Sequence, residues 1–379
     1  MPASMNIVFI GLSITSSWGN GHASTYRGLI ASLARRGHCI TYLERDTPWY
    51  AANRDLTVAG YCRIDLYTTL PELRRRHETL VRDADLVVVG SYVPEGIAVG
   101  QWAVETAGGL TAFYDIDTPV TMADLEKARC SYLSADLISR FDVYLSFTGG
   151  PFLSAIQKKY NVKNVVALYC SADPALYYPT GAPSRYDMGY MGTYSPDRQP
   201  GLDRLLIRAA RNWAQGRFVI AGPQYPESLN WPDNLTRVDH IAPENHRDFY
   251  NAQRYTLNLT RADMIRSGYS PSVRLFEAAA CATPIISDYW PGLETFFVPG
   301  EEILVSRSAA ETLHYLRDLN ETRRRSLGEK ARRRLLSAHT PDHRAAELDN
   351  VVTALLQHRP FASDAAPQAE RSTYAGKTL

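Results

Sequence analysis

"GYSPSVRLFEAAACATPIIS", Gly268 to Ser287, reads as a helix feeding directly into a buried strand. Ser270 is the expected cap and Pro271 the first helical residue, since proline's missing N–H goes unused at that position. The helix should reach about Cys281, and Thr283-Pro284 should end it before the apolar strand "PIIS". The run Ala278-Ala279-Ala280 predicts close packing on a sheet, where the carboxylate of Glu277 needs a reason to be buried. Two reasons compete. Free amides at Ser272 and Val273 favour an anion at the helix start, so a ligand could place diphosphate there and a ribose diol on Glu277. Alternatively, Glu277 neutralises Arg274 one turn earlier.

The helix-strand alternation extends in both directions. "NIVFIG", "CITYLE", "CRIDLY", "DLVVVG", "LTAFYD", "DVYLSF" and "NVVALY" recur between helical stretches in the first half. "DMGYMG", "RFVIAG", "LTRV", "TLNLT", "PIIS" and "EILV" do so in the second. Such alternation implies parallel sheets covered by helices, giving an α/β chain of two Rossmann-like, doubly wound domains facing a cleft. The expected boundaries are 1–170 for an acceptor-side domain, 171–186 for a linker and 187–340 for a donor domain. A C-terminal helix over 341–358 and a disordered tail over 359–379 follow.

A chain of 379 residues exceeds one ordinary core, in keeping with two domains. Net charge +1 gives no general pull toward nucleic acid, and no apolar run reaches membrane-spanning length. Five scattered cysteines without a C-x-x-C pair argue against a zinc site and a disulfide framework. A cytoplasmic setting is the expectation, with the N-terminal apolar run read as a first strand and not as a signal peptide. The arginine triplets of "ETRRRSLGEKARRRLLSAHT" read as a solvated helix face.

After the first strand, the stretch from Gly11 to His38 carries Gly19-Asn20-Gly21, with Glu44 at a spacing suited to a dinucleotide ribose. The third glycine position is Ser24, and seven residues separate Gly11 from Gly19, which spoils the tight pyrophosphate turn of an oxidoreductase. The long loop suits a cleft-facing cover instead. His22 then falls near a helix start, where the dipole favours a neutral imidazole able to accept a proton; a surface His is the alternative.

Further candidates follow from strand ends. Gly192, Tyr194, Ser195 and Arg198 come after one strand of the second half, and Gly222 after the next, where backbone or a guanidinium could meet phosphate. Asp115 and Asp117 in "FYDIDTPVT" end a predicted strand at the cleft as possible general bases, although Asp117 could equally cap the next helix. No other D-x-D pair suits a metal-bound diphosphate, so metal independence is expected.

Phe276-Glu277, Gly292-Leu293-Glu294, Gly300-Glu301-Glu302 and His339-Thr340 with Arg344 together resemble the C-terminal half of the CgeB-like (spore-maturation type) glycosyltransferases of GT-B fold. The resemblance covers about residues 185–357, and "FYDIDTP" looks like that family's aspartate-proline segment. It implies sugar transfer from a nucleotide-diphosphate donor (UDP, TDP or GDP) to an unidentified acceptor, with no further cofactor. It also implies ribose contact by Glu277, diphosphate at Ser270–Val273 and a base pocket at His240 and Ile241. Tyr269 stands where related retaining enzymes carry a sugar-contacting glutamate. A nucleotide-sugar epimerase or hydrolase and a non-catalytic nucleotide-sugar-binding partner are the competing readings.

Overall fold

The computed structural model describes residues 4–18 and 20–357. Gly19 and the expected tail 359–379 lie outside the described residues. Seven strands form the first sheet: β1 (Asn6–Gly11), β2 (Cys39–Arg45), β3 (Arg63–Tyr67), β4 (Leu86–Gly90), β5 (Leu110–Asp115), β6 (Val143–Ser146) and β7 (Val165–Ala167). Their spatial order is β3-β2-β1-β4-β5-β6-β7, and every pairing is parallel.

Six more strands form the second sheet: β8 (Tyr186–Met191), β9 (Phe218–Ala221), β10 (Leu235–Val238), β11 (Gln253–Asn258), β12 (Ile285–Ser287) and β13 (Leu304–Val305). Their order is β10-β9-β8-β11-β12-β13, again all parallel. Strands such as Leu86–Gly90, buried along their whole length, explain why the sequence shows continuous apolar runs and not alternation. In each sheet the order in which strands are added reverses at one point, between β1 and β4 and between β8 and β11. Loops at the carboxyl ends of those strands are where ligands of open α/β sheets bind.

Several contacts join the halves. The helix Pro341–Leu356 crosses back onto the helix His22–Arg35, and Leu348 and Val352 share a core with Leu29 and Leu33. Arg35 pairs with Asp342 at 2.8 Å, and His38 Nε2 meets Asp349 Oδ1 at 3.0 Å. At the cleft floor the Gly149 N–H donates to the Tyr269 carbonyl (2.9 Å), and the Thr148 and Ser270 hydroxyls share a bond of 2.8 Å. The arginines of the Glu321–Ala338 helix mostly reach carboxylates and carbonyls, including Arg324 and Arg325 on Glu321 and Arg334 on Glu302.

The helix expected to be capped by Ser270 begins two residues later. It runs Val273–Ala280, with Ser272 as the cap whose hydroxyl accepts from the Arg274 N–H at 3.3 Å. Ser270 is instead drawn into the contact with Thr148, so its hydroxyl is not free to cap.

Candidate active site

Two adjoining cavities open between the sheets. The upper one, about 200 Å³, is walled by the loop after β1 (Ser17, Asn20, Gly21), by loops after β8, β9 and β10, and by Glu277. The lower one, about 260 Å³, brings His22 and Asp117 of the first half against Arg198, Arg261 and Arg274 of the second. They share Gly21, Thr193, Val273 and Arg274, and together reach the roughly 300–1,000 Å³ of a small-molecule site.

Glu277 is 4% exposed, and its burial has a specific cause. Tyr177 Oη donates to Oε1 at 3.0 Å and Tyr250 Oη to Oε2 at 2.8 Å. Burial and the adjacent carboxylate push both phenols well above the ordinary tyrosine pKa, so both remain donors. The expected alternative, an ion pair with Arg274, is not formed: Arg274 Nη2 donates to the Leu259 carbonyl at 3.0 Å, and its guanidinium lies 5.6 Å from the Tyr190 ring. A carboxylate offers about four acceptor positions, so two remain for a ligand at the cavity wall.

The arginines are short of anions. Arg198 donates to the Thr193 carbonyl (2.7 Å), and among the described residues the carboxylate that Arg261 reaches is Asp197, at 3.8 Å. The Nε atoms of Arg198, Arg261 and Arg274 are all buried without a hydrogen-bond partner among the described residues. Burial lowers the Arg198 pKa, and repulsion from Arg274 and Arg261 adds to the effect. Like charges this close need an anion between them. With Ser272 holding the Arg274 amide, the Val273 N–H is left at the helix start to join them. Close backbone approach matters here too: Gly222 has φ +142°, and a Cβ on it would fall 2.1 Å from the Gly192 carbonyl oxygen.

On the opposite wall Asp117 occupies the N-cap position of the helix Thr118–Glu126 yet makes no side-chain cap bond. Its Oδ2 accepts instead from the Tyr92 phenol at 3.0 Å, and Tyr92 holds a left-handed backbone (φ 64°). His22 begins the helix His22–Arg35; burial lowers its pKa, with Asp117 pulling the other way. The His22 imidazole and the Asp117 carboxyl group share the lower cavity.

Five expected site residues lie elsewhere. Asp115 is fully buried behind Asp117, bonded by the Tyr144 phenol, by Thr121 Oγ1 (2.9 Å) and by the Asp117 N–H (3.0 Å), and burial pushes its pKa up to about 6. Tyr194 packs edge-on to Tyr225 at 5.5 Å, and Ser195 bonds Asp197; neither lines these two cavities. Tyr269, at φ 48°, lies where a Cβ on Gly150 or on Gly292 would strike its ring, and Ser270 is the Thr148 partner. Gly192, Arg198, Gly222, His240, Ile241, Ser272, Val273, Arg274 and Glu277 do line the cavities. Tyr92, Tyr177, Tyr250 and Arg261 escaped the sequence reading, because each reaches the site through a contact distant in sequence.

Glu44 settles the dinucleotide question. Fully buried, it accepts from Ser13 Oγ (2.8 Å), Thr15 Oγ1 (2.6 Å) and the N–H groups of Ile14 (2.7 Å) and Thr15 (3.0 Å). It shapes the long loop and cannot hold a ribose.

Residues 198–350 match the family model described as glycosyl transferase-like. No curated protein matches the chain. Among solved structures it is similar to an α-glucosyltransferase in complex with UDP-glucose and DNA containing an abasic site (15% identity, TM-score 0.71, 93% of this chain and 100% of that one). It is also similar to Alr3699/HepE of Anabaena in complex with UDP and glucose (12%, TM-score 0.68, 92% and 100%). A third is sucrose-phosphate synthase from Thermosynechococcus elongatus (15%, TM-score 0.65, 93% and 100%). The shared arrangement of two parallel-sheet domains is that of GT-B glycosyltransferases. Among the described residues no helix is long and apolar enough to cross a membrane, and no cluster of His, Cys, Asp and Glu could hold a metal ion.

Proposed function

We propose that this chain is a nucleotide-sugar-dependent glycosyltransferase that moves a hexose from a nucleoside diphosphate to a hydroxyl acceptor. The observation that carries the reading is one cleft holding a buried, tyrosine-held carboxylate beside three arginines short of anions. A nucleotide sugar supplies both complements, hydroxyls for Glu277 and diphosphate for Arg198, Arg261 and Arg274. Two of the similar structures named above, the α-glucosyltransferase and HepE, were solved with UDP-glucose or UDP, which favours uridine as the nucleoside. The motif at His339-Thr340 and Arg344 supports the narrower CgeB-like affiliation.

In the reaction the bond from the sugar's anomeric carbon to the diphosphate oxygen breaks, and a bond from that carbon to the acceptor oxygen forms. The acceptor proton passes to Asp117, with neutral His22 as the neighbouring proton acceptor. The nucleoside diphosphate departs with added negative charge, held by the arginines and the Val273 N–H, a role metal ions fill elsewhere. Five free cysteines suit a reducing, cytoplasmic compartment.

Titrating the protein with UDP-glucose, GDP-mannose and TDP-glucose, then following sugar release with and without candidate acceptors, tests the reading. Donor binding with acceptor-dependent release is the expected result. Release or epimerisation that ignores acceptor would make the chain a nucleotide-sugar hydrolase or epimerase; binding without turnover would make it a non-catalytic binder.

A further inference from the structure

The upper cavity carries polar atoms whose roles are fixed by bonds made on their far sides. His246 lines it beside Ile241 and Pro243, and its Nε2 lies 3.1 Å from the Ile241 carbonyl oxygen. A carbonyl only accepts, so Nε2 carries a proton, and in the neutral ring Nδ1 is then an acceptor. That Nδ1 is buried and has no partner among the described residues. The bond uses one of the two acceptor positions of the Ile241 carbonyl.

Asn20 shows the same pattern from the opposite domain. It is 3% exposed, and its amide nitrogen donates to the carbonyls of Ser13 (3.0 Å) and Ser16 (3.2 Å). Two carbonyl partners fix the amide orientation, leaving Oδ1 as a buried acceptor without a partner. Glu277, filled on one side by two phenols, is the third acceptor of this cavity.

We propose that the nucleoside half of the cleft is an acceptor wall: His246 Nδ1 reads a ring N–H of the base, while Glu277 and Asn20 together take the two ribose hydroxyls. This inference rests on the donor-site reading of the cleft. It names the ligand class as a ribonucleotide whose base carries a lactam or imide N–H, as uracil and guanine do. Cytosine presents a ring acceptor at the equivalent position and would face Nδ1 lone pair to lone pair. A 2′-deoxyribonucleotide, as in thymidine diphosphate sugars, leaves one of the two wall acceptors unmet. Leaving a buried acceptor unpaired is costly, so selection of this kind is strong.

The test is calorimetric titration of the full chain with UDP, N3-methyl-UDP, CDP and 2′-deoxy-UDP. UDP is expected to bind at least tenfold more tightly than each of the other three. In His246→Phe the advantage of UDP over N3-methyl-UDP should vanish while that over 2′-deoxy-UDP persists; Asn20→Ser should reduce only the latter. Equal binding of UDP and N3-methyl-UDP by the unaltered protein overturns the proposal for His246, and equal binding of UDP and 2′-deoxy-UDP overturns it for the ribose. Both readouts stand even if a variant fails to fold. Absence of binding by every nucleoside diphosphate, GDP included, would instead sink the donor-site reading beneath it.

Discussion

Tyr177 Oη lies 3.0 Å from Glu277 Oε1, joining the segment between the two sheets to a carboxylate exactly one hundred residues later in the chain. Together with Tyr250 it gives Glu277 a structural anchor that leaves half of its acceptor capacity for a ligand. Glu277→Gln should therefore weaken nucleotide binding by about 1.5–3 kcal/mol, the range for hydrogen bonds to a charged group. Melting temperature should barely move, because Glu277 forms no ion pair among the described residues and the tyrosine hydroxyls can rotate to suit an amide. A large loss of apo stability with unchanged nucleotide affinity would show that Glu277 serves only the fold.

Asp117 is bonded by Tyr92 and not spent on capping. We expect Asp117→Asn to reduce turnover by about two to four orders of magnitude at nearly constant donor KM and melting temperature. Tyr92→Phe keeps the ring packed at 4.7 Å from Tyr132 but frees the carboxylate. Its kcat should drop about tenfold with donor KM preserved. Normal kcat in Tyr92→Phe alongside an inactive Asp117→Asn would confine the catalytic role to Asp117.

The three arginines predict a ligand-dependent pattern. Arg198→Ala and Arg261→Ala should each weaken nucleoside diphosphate binding by tenfold or more and nucleoside monophosphate binding far less. Chelators should leave turnover unchanged if the guanidiniums fulfil the metal's usual role. Equal losses for both ligands would remove those residues from the diphosphate site.

His339 gives a pH prediction. Its Nδ1 accepts from Arg344 Nη2 at 2.7 Å, and its ring lies 4.9 Å from Phe276. Burial, reinforced by Arg344, lowers its pKa to about 3. An unfolded chain takes up that proton near 6.5, so between those values the unfolded state binds more protons. Stability from this group is complete above about pH 6.5 and declines as pH falls toward 3, by at most ~1.4 kcal/mol per unit. Asp115 and Asp288, each raised to about 6 by burial, work in the opposite sense over roughly pH 4–6. Comparing denaturant curves of the unaltered protein and His339→Asn from pH 7.5 to 4.5 isolates the histidine. Parallel curves would refute its buried, neutral state.

The motif containing His339, Thr340 and Arg344 thus has a structural reading as well as a family one. Thr340 caps the helix Pro341–Leu356, and Arg344 ties His339 beneath it, close to the Tyr169 ring.

By itself the sequence determined the strands and the parallel class of both sheets, because continuous apolar runs and their spacing are local properties that burial on two faces imposes. It also located Arg198 and Asp117 just after strands, since loops after parallel strands must meet at a cleft, and Glu277 inside the helix that feeds the strand "PIIS". Only the tertiary structure decided what those groups touch. Whether Glu277 meets Arg274 or two tyrosines, whether Asp117 caps a helix or accepts from Tyr92, and whether Ser270 or Ser272 starts the helix each turned on a partner supplied by a distant segment. Hydrogen bonds between such segments depend on how the sheets and helices pack in three dimensions, and no local pattern of residues encodes that partner.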